Sequence, residues 1–512
     1  MMSTSGSQAP QSRPLNPLRW RSLAAVCMLL GLVWVVCDGF VIAIPAIGRE
    51  IGGSADVMAW AVNGFSLVAG MAAFFGRLGD LSGNRRMVVA GSAVLIVGSV
   101  VGGLAGTPNA LILARVLQGI GGTAIFTCAL SVLSLQFPPA ERPRALSIKQ
   151  SVSWAASGLA VLILAVLLEL LGWKSTFWGA IPVALLGLVL VATTTPEFHE
   201  RKADSKLDLA GALILTAAFF MVSYTLFESD EMAAAKLVLM VFIAALLFGL
   251  FVVVESRSAD PLIPLSILRQ PTFTGAIVSV FVFNGVMMGM LYLLALYLQT
   301  VGGLGAVDAA KVLIGATIAV IITNPIGALL AGRGRFLLAV VAGMLLMALG
   351  CVGVLLGVKA DSNAVILGGL VVLGVAVGIQ TTPVSTLQVS SSDATKGTVS
   401  GVVAITFGLS TAMGIALSTA IMQNVAIRSL QGATGSHQLE GIDHQELLDI
   451  LTGIRPMSDL SSAGQQVITT AFDKGAVTTS AIFAVLALLG AAVARKTLRN
   501  IVIHDERSGS GT

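Results

Sequence analysis

The chain has 512 residues, of which 56% are apolar and only 11% are charged, and its formal net charge is +4. Soluble domains carry about 25% charged residues, so this composition is that of a polytopic membrane protein. The small net charge does not indicate a nucleic-acid partner, because the arginines stand at the ends of apolar runs and form no single basic patch.

Apolar runs of about 20 residues, long enough to cross a bilayer as a helix, recur along the whole chain. The polar start, residues 1–21, predicts a disordered cytoplasmic tail. The first six runs predict an N-terminal six-helix bundle over residues 22–195, with spans at Ser22–Ile47, Val57–Phe75, Met87–Ala105, Asn109–Phe137, Leu146–Leu171 and Thr176–Thr195.

The remaining runs predict two extra spans and a second six-helix bundle. Residues 196–208 are expected to form a cytoplasmic linker, and 209–272 hold the extra spans Leu209–Phe227 and Ala235–Val254 with a cytoplasmic connector. Residues 273–494 form the second bundle, with an extracytoplasmic loop at 424–475, and 495–512 form a second cytoplasmic tail. The spans of the second bundle are Phe273–Val301, Ala309–Ala331, Phe336–Val358, Ala364–Gln388, Val399–Gln423 and Ala476–Ala494.

The distribution of lysine and arginine predicts that both termini are cytoplasmic. If successive spans cross the membrane in alternating directions, the loops on the side of the N-terminus hold most of the cations. The short loops on the opposite side then hold only isolated cations. Short loops rich in Lys and Arg remain in the cytoplasm. We therefore expect a multi-pass protein of a cell membrane, such as a bacterial inner or plasma membrane.

The loop between the second and third predicted spans carries the most specific motif, GRLGDLSGNRR over Gly76–Arg86. Its glycines permit tight turns and close packing, and its arginines favour the cytoplasmic side. Its acid can pair with an arginine or accept hydrogen bonds from the start of the next helix. An ordinary glycine-rich turn with orienting arginines is the alternative. The residues expected to act in this loop are Gly76, Asp80, Gly83, Arg85 and Arg86.

This loop resembles the signature between the second and third spans of the major facilitator superfamily, Gly-x-Leu-x-Asp-(Arg)-x-Gly-(Arg/Lys)-(Arg/Lys), with Leu81 where a basic residue is usual. The resemblance implies a cytoplasmic latch that pairs with neighbouring helices as a carrier changes state. A weaker copy, GALLAGRGR over Gly327–Arg335, has Ala331 in place of the acid. Such repeats indicate two pseudo-symmetric bundles around a midplane site.

Six spans, two extra spans and six more is the plan of the fourteen-span branch of that superfamily, which is best known for drug:proton antiporters. The resemblance covers nearly the whole chain and identifies it as a divergent member of this branch. It implies an all-α membrane protein with the major facilitator fold, built from two six-helix bundles plus two extra central transmembrane helices.

Two charged residues, Asp38 and Arg115, lie deep inside predicted spans, where an ionised group is costly and is a functional candidate by default. Asp38 lies roughly 24 Å from the cytoplasmic end of the first span, and Arg115 lies roughly 9 Å below the outer face. The two depths are similar. The resemblance implies that both spans face a central cavity, so a direct or water-bridged pair is expected.

Such a pair can couple transport to protons. Desolvation favours the protonated acid and a nearby arginine favours the ionised one, so entry of a cationic substrate can exchange for a proton. We therefore interpret Asp38 and Arg115 as proton-coupling residues. A permanent ion pair that braces two helices, and an interfacial Asp that only faces water, are the alternatives.

The fourth predicted span carries RVLQGIGGT from Arg115, which resembles the Arg-x-x-Gln-Gly-x-Gly motif of the superfamily. Arg115 and Gln118 are one helical turn apart and share a face, while Gly119 and Gly121 allow close packing against another span. A packing motif with one buried arginine is the alternative interpretation.

Two positions depart from the antiporter pattern. The Gly-Pro-x-x-Gly-Gly motif of the fifth span is absent, since Ala160-Val161 and Leu164-Ala165 occupy its places. In the first span the family Asp precedes a Pro by nine residues, whereas Asp38 precedes Pro45 by seven and Val36 stands at the expected position. These departures weaken the prediction of proton coupling more than they weaken the prediction of transport.

The other spans predict a mostly apolar cavity. Aromatic faces and flexible Met side chains suit lipophilic or cationic ligands, although lipid-facing or packing roles are the alternative for each residue. The candidates for the cavity lining are Trp34, Trp60, Asn63, Trp154, Asn284, Met288, Tyr292, Gln299, Asn324 and Gln380.

We therefore expect a monomeric secondary transporter, not an enzyme, that exports small lipophilic or cationic compounds of the multidrug type by alternating access and proton antiport. Its expected partners are a small-molecule substrate, protons and membrane lipids, with no nucleic acid and no cofactor. No metal is expected, because the four cysteines lack metal-ligand spacing. The alternatives are an exporter of one native metabolite, such as a siderophore, lipid or antibiotic, and a non-transporting sensor or scaffold.

Overall fold

The computed structural model describes residues 16–51, 60–61, 64–65, 68–197, 208–228, 234–258, 260–304, 306–390, 396–431 and 462–499. Across these ranges the regular structure is helical, and no strand is present in them. An α-helix satisfies its backbone hydrogen bonds within one segment, which is why a chain this apolar adopts it in a bilayer. The expected all-helical class is confirmed.

The first half of the chain begins with a helix that breaks. Helix α1 ends at Asp38, a 3₁₀ turn covers Gly39–Ala43, and α2 follows. The expected span Ser22–Ile47 is therefore not one continuous α-helix. The helices of this half are α1 (Arg19–Asp38), α2 (Ile44–Ile51), α3 (Ala72–Ser82), α4 (Asn84–Gly103), α5 (Pro108–Gln136), α6 (Arg142–Leu171), α7 (Ser175–Trp178) and α8 (Ala180–Thr194).

The second half contains longer helices. They are α9 (Leu209–Glu228), α10 (Ala234–Arg257), α11 (Pro271–Thr300), α12 (Ala306–Gly332), α13 (Phe336–Lys359), α14 (Asn363–Ser390), α15 (Lys396–Gln431) and α16 (Ser462–Thr497). Helices α15 and α16 extend into the segment 424–475 that was expected to be a loop. Intrahelical hydrogen bonds allow a helix to continue past its apolar stretch, so the run of apolar residues marks the span but not the helix end.

Eleven helices in the described ranges are long and apolar enough to cross a membrane, and α6, which bends by 46° between Ala160 and Leu162, makes a twelfth. Of the two remaining predicted spans, Val57–Phe75 lies partly outside the described residues. The other, Leu209–Phe227, corresponds to α9, of which Leu209–Val222 is an apolar helix in the described residues. The count of fourteen stays a prediction.

Hydroxyl groups inside the spans are tolerated because they bond their own helix. Ser92 and Ser99 in α4 and Thr381 in α14 each donate to the carbonyl oxygen four residues earlier, at 2.6–2.9 Å. A hydroxyl satisfied in this way can lie in an apolar core without an external partner.

Each half has its own core. Helix α4 packs along α5, α1 packs against α6 and α8, and in the second half α14 packs along both α12 and α13. The extra helices α9 and α10 pair with each other, and α9 attaches to the first half. There Trp60 stacks on Phe220 and Tyr224 with centroid distances of 6.4 and 5.8 Å. Only 11% of the apolar stretch of α10 is buried, so this helix is peripheral.

An ion pair joins the starts of α1 and α6. The Arg19 guanidinium donates to both carboxylate oxygens of Glu141, at 2.9 and 3.1 Å. These hydrogen bonds hold the pKa of the Glu141 carboxyl below its usual range. Because the pair favours the ionised acid, its contribution to stability is present near neutral pH and is lost as the pH falls through that lowered pKa.

Candidate functional site

The motif Gly76–Arg86, which was expected to form a loop, is helical in the structure apart from Gly83, which separates the end of α3 from the start of α4. It carries an acid that binds the other half of the molecule. Gly83 adopts φ 110°, a conformation that favours glycine and lets α4 start directly after α3. Asp80 is buried, and its two carboxylate oxygens accept from the backbone N–H groups of Gly397 and Thr398, at 2.8 and 3.0 Å. These are the second and third residues of α15.

This contact satisfies free N–H groups at a helix N-terminus with a negative charge, the polarity that a helix start favours. An acceptor role for Asp80 at the start of a helix was expected, but the helix is α15 of the second half instead of α4. We call the end of the molecule at which α3 meets α15 the latch end.

Close approach of backbones makes the latch possible. A Cβ atom built on Gly76 would lie 2.2 Å from the carbonyl oxygen of Gly397, and one built on Gly397 would lie 2.1 Å from the carbonyl oxygen of Gly76. Nearby, the Ser131 and Ser400 hydroxyls are hydrogen-bonded at 3.0 Å, which joins α5 to α15. The two halves are therefore in contact at the latch end.

The arginines of the motif bind neighbouring connectors. Arg77 lies 3.8 Å from Asp260 in the segment before α11. The backbone N–H of Arg85 donates to Glu197 at 3.1 Å, and the guanidinium of Arg86 lies 3.7 Å from the same carboxylate. The latch motif thus contacts three separate parts of the chain.

At the opposite end of α5, a cap and a proline set the start of the helix that carries Arg115. The Thr107 hydroxyl accepts from the N–H of Ala110, and Pro108 occupies the first turn. Arg115 is 1% exposed. Its guanidinium donates to the carbonyl oxygens of Val36 and Ala61 at 3.0 and 3.2 Å.

A relay of polar groups extends from this arginine. Nη1 of Arg115 also donates to Gln118 Oε1 at 3.0 Å, and the amide of Gln118 donates to Ser99 at 3.0 Å. The rings of Phe40 and Phe65 lie 4.1 and 4.9 Å from the guanidinium carbon, which places the charge against aromatic faces. The narrow space beside the guanidinium is lined by Leu164, Thr176 and Phe177.

Asp38 is the last residue of α1, and it binds α6. Its Oδ2 accepts from the Ser157 hydroxyl at 2.5 Å. Of the carboxylates in the described ranges, none lies within 4.0 Å of Arg115, so the expected direct pair with Asp38 is not formed. The two groups are nevertheless neighbours, since Arg115 bonds the carbonyl of Val36, two residues before Asp38.

The break after Asp38 separates the helical register of Asp38 from that of Pro45. Asp38 and Pro45 belong to two separate helices, with the 3₁₀ turn between them. The spacing of seven residues therefore does not turn Asp38 away from Arg115. Val36, which stands at the family's acid position, contributes its backbone carbonyl to Arg115 instead of a side chain.

A family model described as Major Facilitator Superfamily matches residues 22–415, which include all of these groups. The chain belongs to the major facilitator superfamily. Multidrug resistance protein Stp of Mycobacterium tuberculosis is 28% identical over 413 residues, which cover 79% of this chain and 76% of Stp. The Tetracenomycin C resistance and export protein of Streptomyces glaucescens is 30% identical over 343 residues, 65% of this chain and 63% of that protein.

A solved structure shares the fold. The human organic anion transporter MFSD10 (TETRAN) superposes with a TM-score of 0.61, over 93% of this chain and 100% of that one, at 15% identity. At this identity the similarity concerns the fold alone.

The superfamily's fourth-span glycines lie at helix contacts in this chain. A Cβ on Gly119 would lie 2.4 Å from the carbonyl oxygen of Phe65, and one on Gly121 would lie 2.4 Å from that of Gly91. Glycine at these two positions lets α5 approach both neighbours closely, next to Arg115.

The fifth predicted span bends although the superfamily's Gly-Pro motif is missing. Gly39, at the break after α1, packs where α6 bends, and a Cβ on it would lie 2.8 Å from the carbonyl oxygen of Ala160 and 2.6 Å from Leu164. The break in one helix thus fits the 46° bend in the other.

The structure separates the ten expected cavity residues. Asn63 lies outside the described residues. Trp60 stacks on α9, Trp154 is buried among core residues of the second half, and Met288 and Tyr292 pack against that same core. Gln299 is exposed near the end of α11.

Three expected cavity amides serve helix packing. Asn284 donates to the Phe407 carbonyl and to the hydroxyls of Ser410 and Thr411, at 2.8–3.2 Å. Asn324 accepts from Thr382 at 2.7 Å, and Gln380 is buried against Gly343 of α13. Buried polar atoms without a partner in the described structure are the indole N–H of Trp34, the Gln380 amide and the Asn324 amide nitrogen.

Sequence reasoning missed one buried charge, Lys149. It lies in α6 and is 6% exposed. Its ammonium group donates to Gln150 at 2.7 Å and lies 5.1 Å from the Phe126 ring. The sequence did carry a signal, since Lys149 is the only cation within the predicted span Leu146–Leu171.

Proposed function

We propose that this transporter exports small lipophilic or cationic compounds by alternating access, and that proton antiport through Asp38 drives it. The observation that carries the proposal is the Asp38 carboxylate, which is held by the hydroxyl of Ser157 beside a buried arginine with which it does not pair.

A permanent ion pair would hold Asp38 in its ionised form. Here Arg115 donates to two backbone carbonyls and an amide oxygen, so neutral groups retain it and its position does not depend on the charge of Asp38. Its Nη2 has no acceptor in the described structure. A shift of α1 can therefore bring the carboxylate to this free donor, and the acid can take up or release a proton without a change in the arginine site.

The names of relatives support export as the direction of transport. Stp is named for multidrug resistance, and the Streptomyces glaucescens protein is named for resistance and export. The contact at the latch end supports alternating access, because it joins the halves through one acid and a few close backbone contacts that can open and close.

The test uses purified protein in liposomes with an imposed pH gradient and ethidium as the lipophilic cation. Asp38→Asn keeps the shape and the hydrogen-bond acceptor but cannot carry a proton. We expect uphill ethidium movement to fall to the level of protein-free liposomes, while ethidium binding in detergent is retained.

Asp308→Asn is the matched control, since Asp308 is exposed and pairs only with Lys311 at the start of α12. It should transport like the wild type. Uphill transport by the Asp38→Asn variant at the wild-type rate would overturn the proton-coupling role.

A second candidate is an exporter of one native metabolite. It is favoured by the relative whose name gives a single compound, tetracenomycin C. Competition against ethidium by unrelated dyes indicates a multidrug carrier, and competition by only one fraction of a host extract indicates a dedicated exporter. A sensor or scaffold would show no flux of either kind.

A further inference from the structure

Lys149 is a buried cation that has no counter-charge among the residues that the structure describes. Its side chain lies inside α6, about 10 Å from the helix start at 1.5 Å per residue. No carboxylate of the described ranges lies within 4.0 Å of its ammonium group. The contacts it makes are with the amide oxygen of Gln150 and the face of Phe126. An isolated charge at this depth is costly unless an anion compensates it.

Two further donors lie nearby without partners. The indole N–H of Trp34 has no acceptor in the described structure, and its ring packs edge-on against the same Phe126 ring at 5.8 Å. The Ser153 hydroxyl, one helical turn after Lys149, is also unpaired, and Ser153 is 6% exposed. Buried donors are normally paired, so a buried ammonium and an unpaired indole N–H at one aromatic ring, with an unpaired hydroxyl one turn along α6, indicate a site for an acceptor.

The chemistry of these groups selects one class of ligand. An ammonium, an indole N–H and a hydroxyl together suit an oxyanion, because an oxyanion accepts several hydrogen bonds and neutralises the charge. The flat face of Phe126 suits an aromatic or other apolar body attached to that oxyanion.

We propose that Lys149, with Trp34 and Ser153, binds the carboxylate or phenolate group of an amphiphilic organic anion, and so determines which substrates the transporter accepts. The proposal rests on the transport function given above, and among the lipophilic compounds named there it specifies those that carry an anionic group; it does not concern the cationic ones. Lys149 lies on α6 eight residues before Ser157, about 12 Å from the partner of Asp38, so the anion site and the acid are separate groups on one helix.

Binding is measured by equilibrium dialysis with the full chain in phosphatidylcholine nanodiscs, so the result does not depend on transport. The probes are 9-anthracenecarboxylate and its methyl ester, which share the aromatic body and differ in charge. We expect the wild type to bind the carboxylate more tightly than the ester. Loss of a hydrogen bond to a charged group should weaken carboxylate binding by about ten- to a hundredfold in Lys149→Met, and leave ester binding unchanged.

Lys149→Arg keeps the charge and should keep the preference for the carboxylate, which separates loss of charge from loss of folding. Lys359→Met is the matched control, since Lys359 is exposed at the end of α13. It should bind both probes like the wild type.

Equal affinity of the wild type for the two probes, or unchanged carboxylate binding in Lys149→Met, would overturn the proposal. So would competition by phosphatidylglycerol that requires Lys149, because the occupant would then be a lipid headgroup. The wild type could bind the carboxylate more tightly than the ester and yet show no uphill transport. That result would overturn the proposed function but support the anion site at Lys149.

Discussion

At the scale of single residues, the first half of the molecule contains a buried base, Arg115, and an acid, Asp38, that form no ion pair with each other. Arg115 is held by neutral oxygens and Asp38 by a hydroxyl. Their depth along the spans, together with the family resemblance, predicted that the two lie close together. Their partners could not be predicted, because a backbone carbonyl acceptor such as that of Val36 carries no sequence signal.

The guanidinium of Arg115 is expected to be required for its shape as well as for its charge. It donates to Val36, Ala61 and Gln118 at once, and a lysine ammonium cannot span these directions. Arg115→Lys should lower stability by about 2 kcal/mol or more, since hydrogen bonds of a charged group are lost in a buried site. The measurement is thermal unfolding of the detergent-solubilised protein.

Arg428→Lys provides the control, because Arg428 is exposed in the last turn of α15. It should unfold at the wild-type temperature. Equal stability of Arg115→Lys and the wild type would show that a point charge is enough at this position.

At the scale of helices, apolar run length predicted which segments form long apolar helices but not where helices break. The first span stops at Asp38 and the fifth predicted span bends at residue 161, although neither position carries a proline. The two irregularities meet at Gly39, which lies against Ala160 and Leu164. The irregularity is a property of the contact between two helices, so neither sequence segment predicts it alone.

Gly39→Ala should disturb this contact. The added Cβ would lie 2.6 Å from Leu164 and 2.8 Å from a backbone oxygen that cannot rotate away. Overpacking of this kind destabilises by about 1–3 kcal/mol. Gly48→Ala, in α2, is the matched control, because its added Cβ meets nothing within 4 Å.

Thermal unfolding of the two variants side by side is the measurement. We expect a lower midpoint for Gly39→Ala and a wild-type midpoint for Gly48→Ala. Equal unfolding midpoints for Gly39→Ala and Gly48→Ala would contradict the close fit between the break after α1 and the bend in α6.

At the scale of the whole molecule, the acid Asp80, a hydrogen bond between two serine hydroxyls and close backbone contacts join the two halves at the latch end. Asp80 accepts from the start of α15, and the second copy of the motif has Ala331 at the corresponding place. The repeat is therefore asymmetric, and the described acid contact lies on one side of the pseudo-symmetry only.

Gly76→Ala should open the latch. Its Cβ would lie 2.2 Å from the Gly397 carbonyl, so α3 must move away from α15. Closure can be measured by disulfide formation between Ser131→Cys and Ser400→Cys in a cysteine-free background, since the two hydroxyls lie 3.0 Å apart when the halves meet. We expect a lower cross-linking yield and slower transport.

Gly332→Ala serves as the control, since Gly332 lies in the second copy of the motif and an added Cβ there meets nothing within 4 Å. Its cross-linking yield should equal that of the parent. An unchanged yield in Gly76→Ala would mean that close backbone contact is not needed for closure.

The sequence by itself determined the all-helical class and the family, because apolar run length and the latch motif are local patterns that a bilayer constrains strongly. Only the tertiary structure decided that Asp80 reaches α15, that Asp38 bonds Ser157, and that Lys149 lies beside Trp34 and Phe126. These contacts join segments that are distant in the chain, and their geometry depends on how helices break, bend and pack. No run of residues read in isolation contains that information.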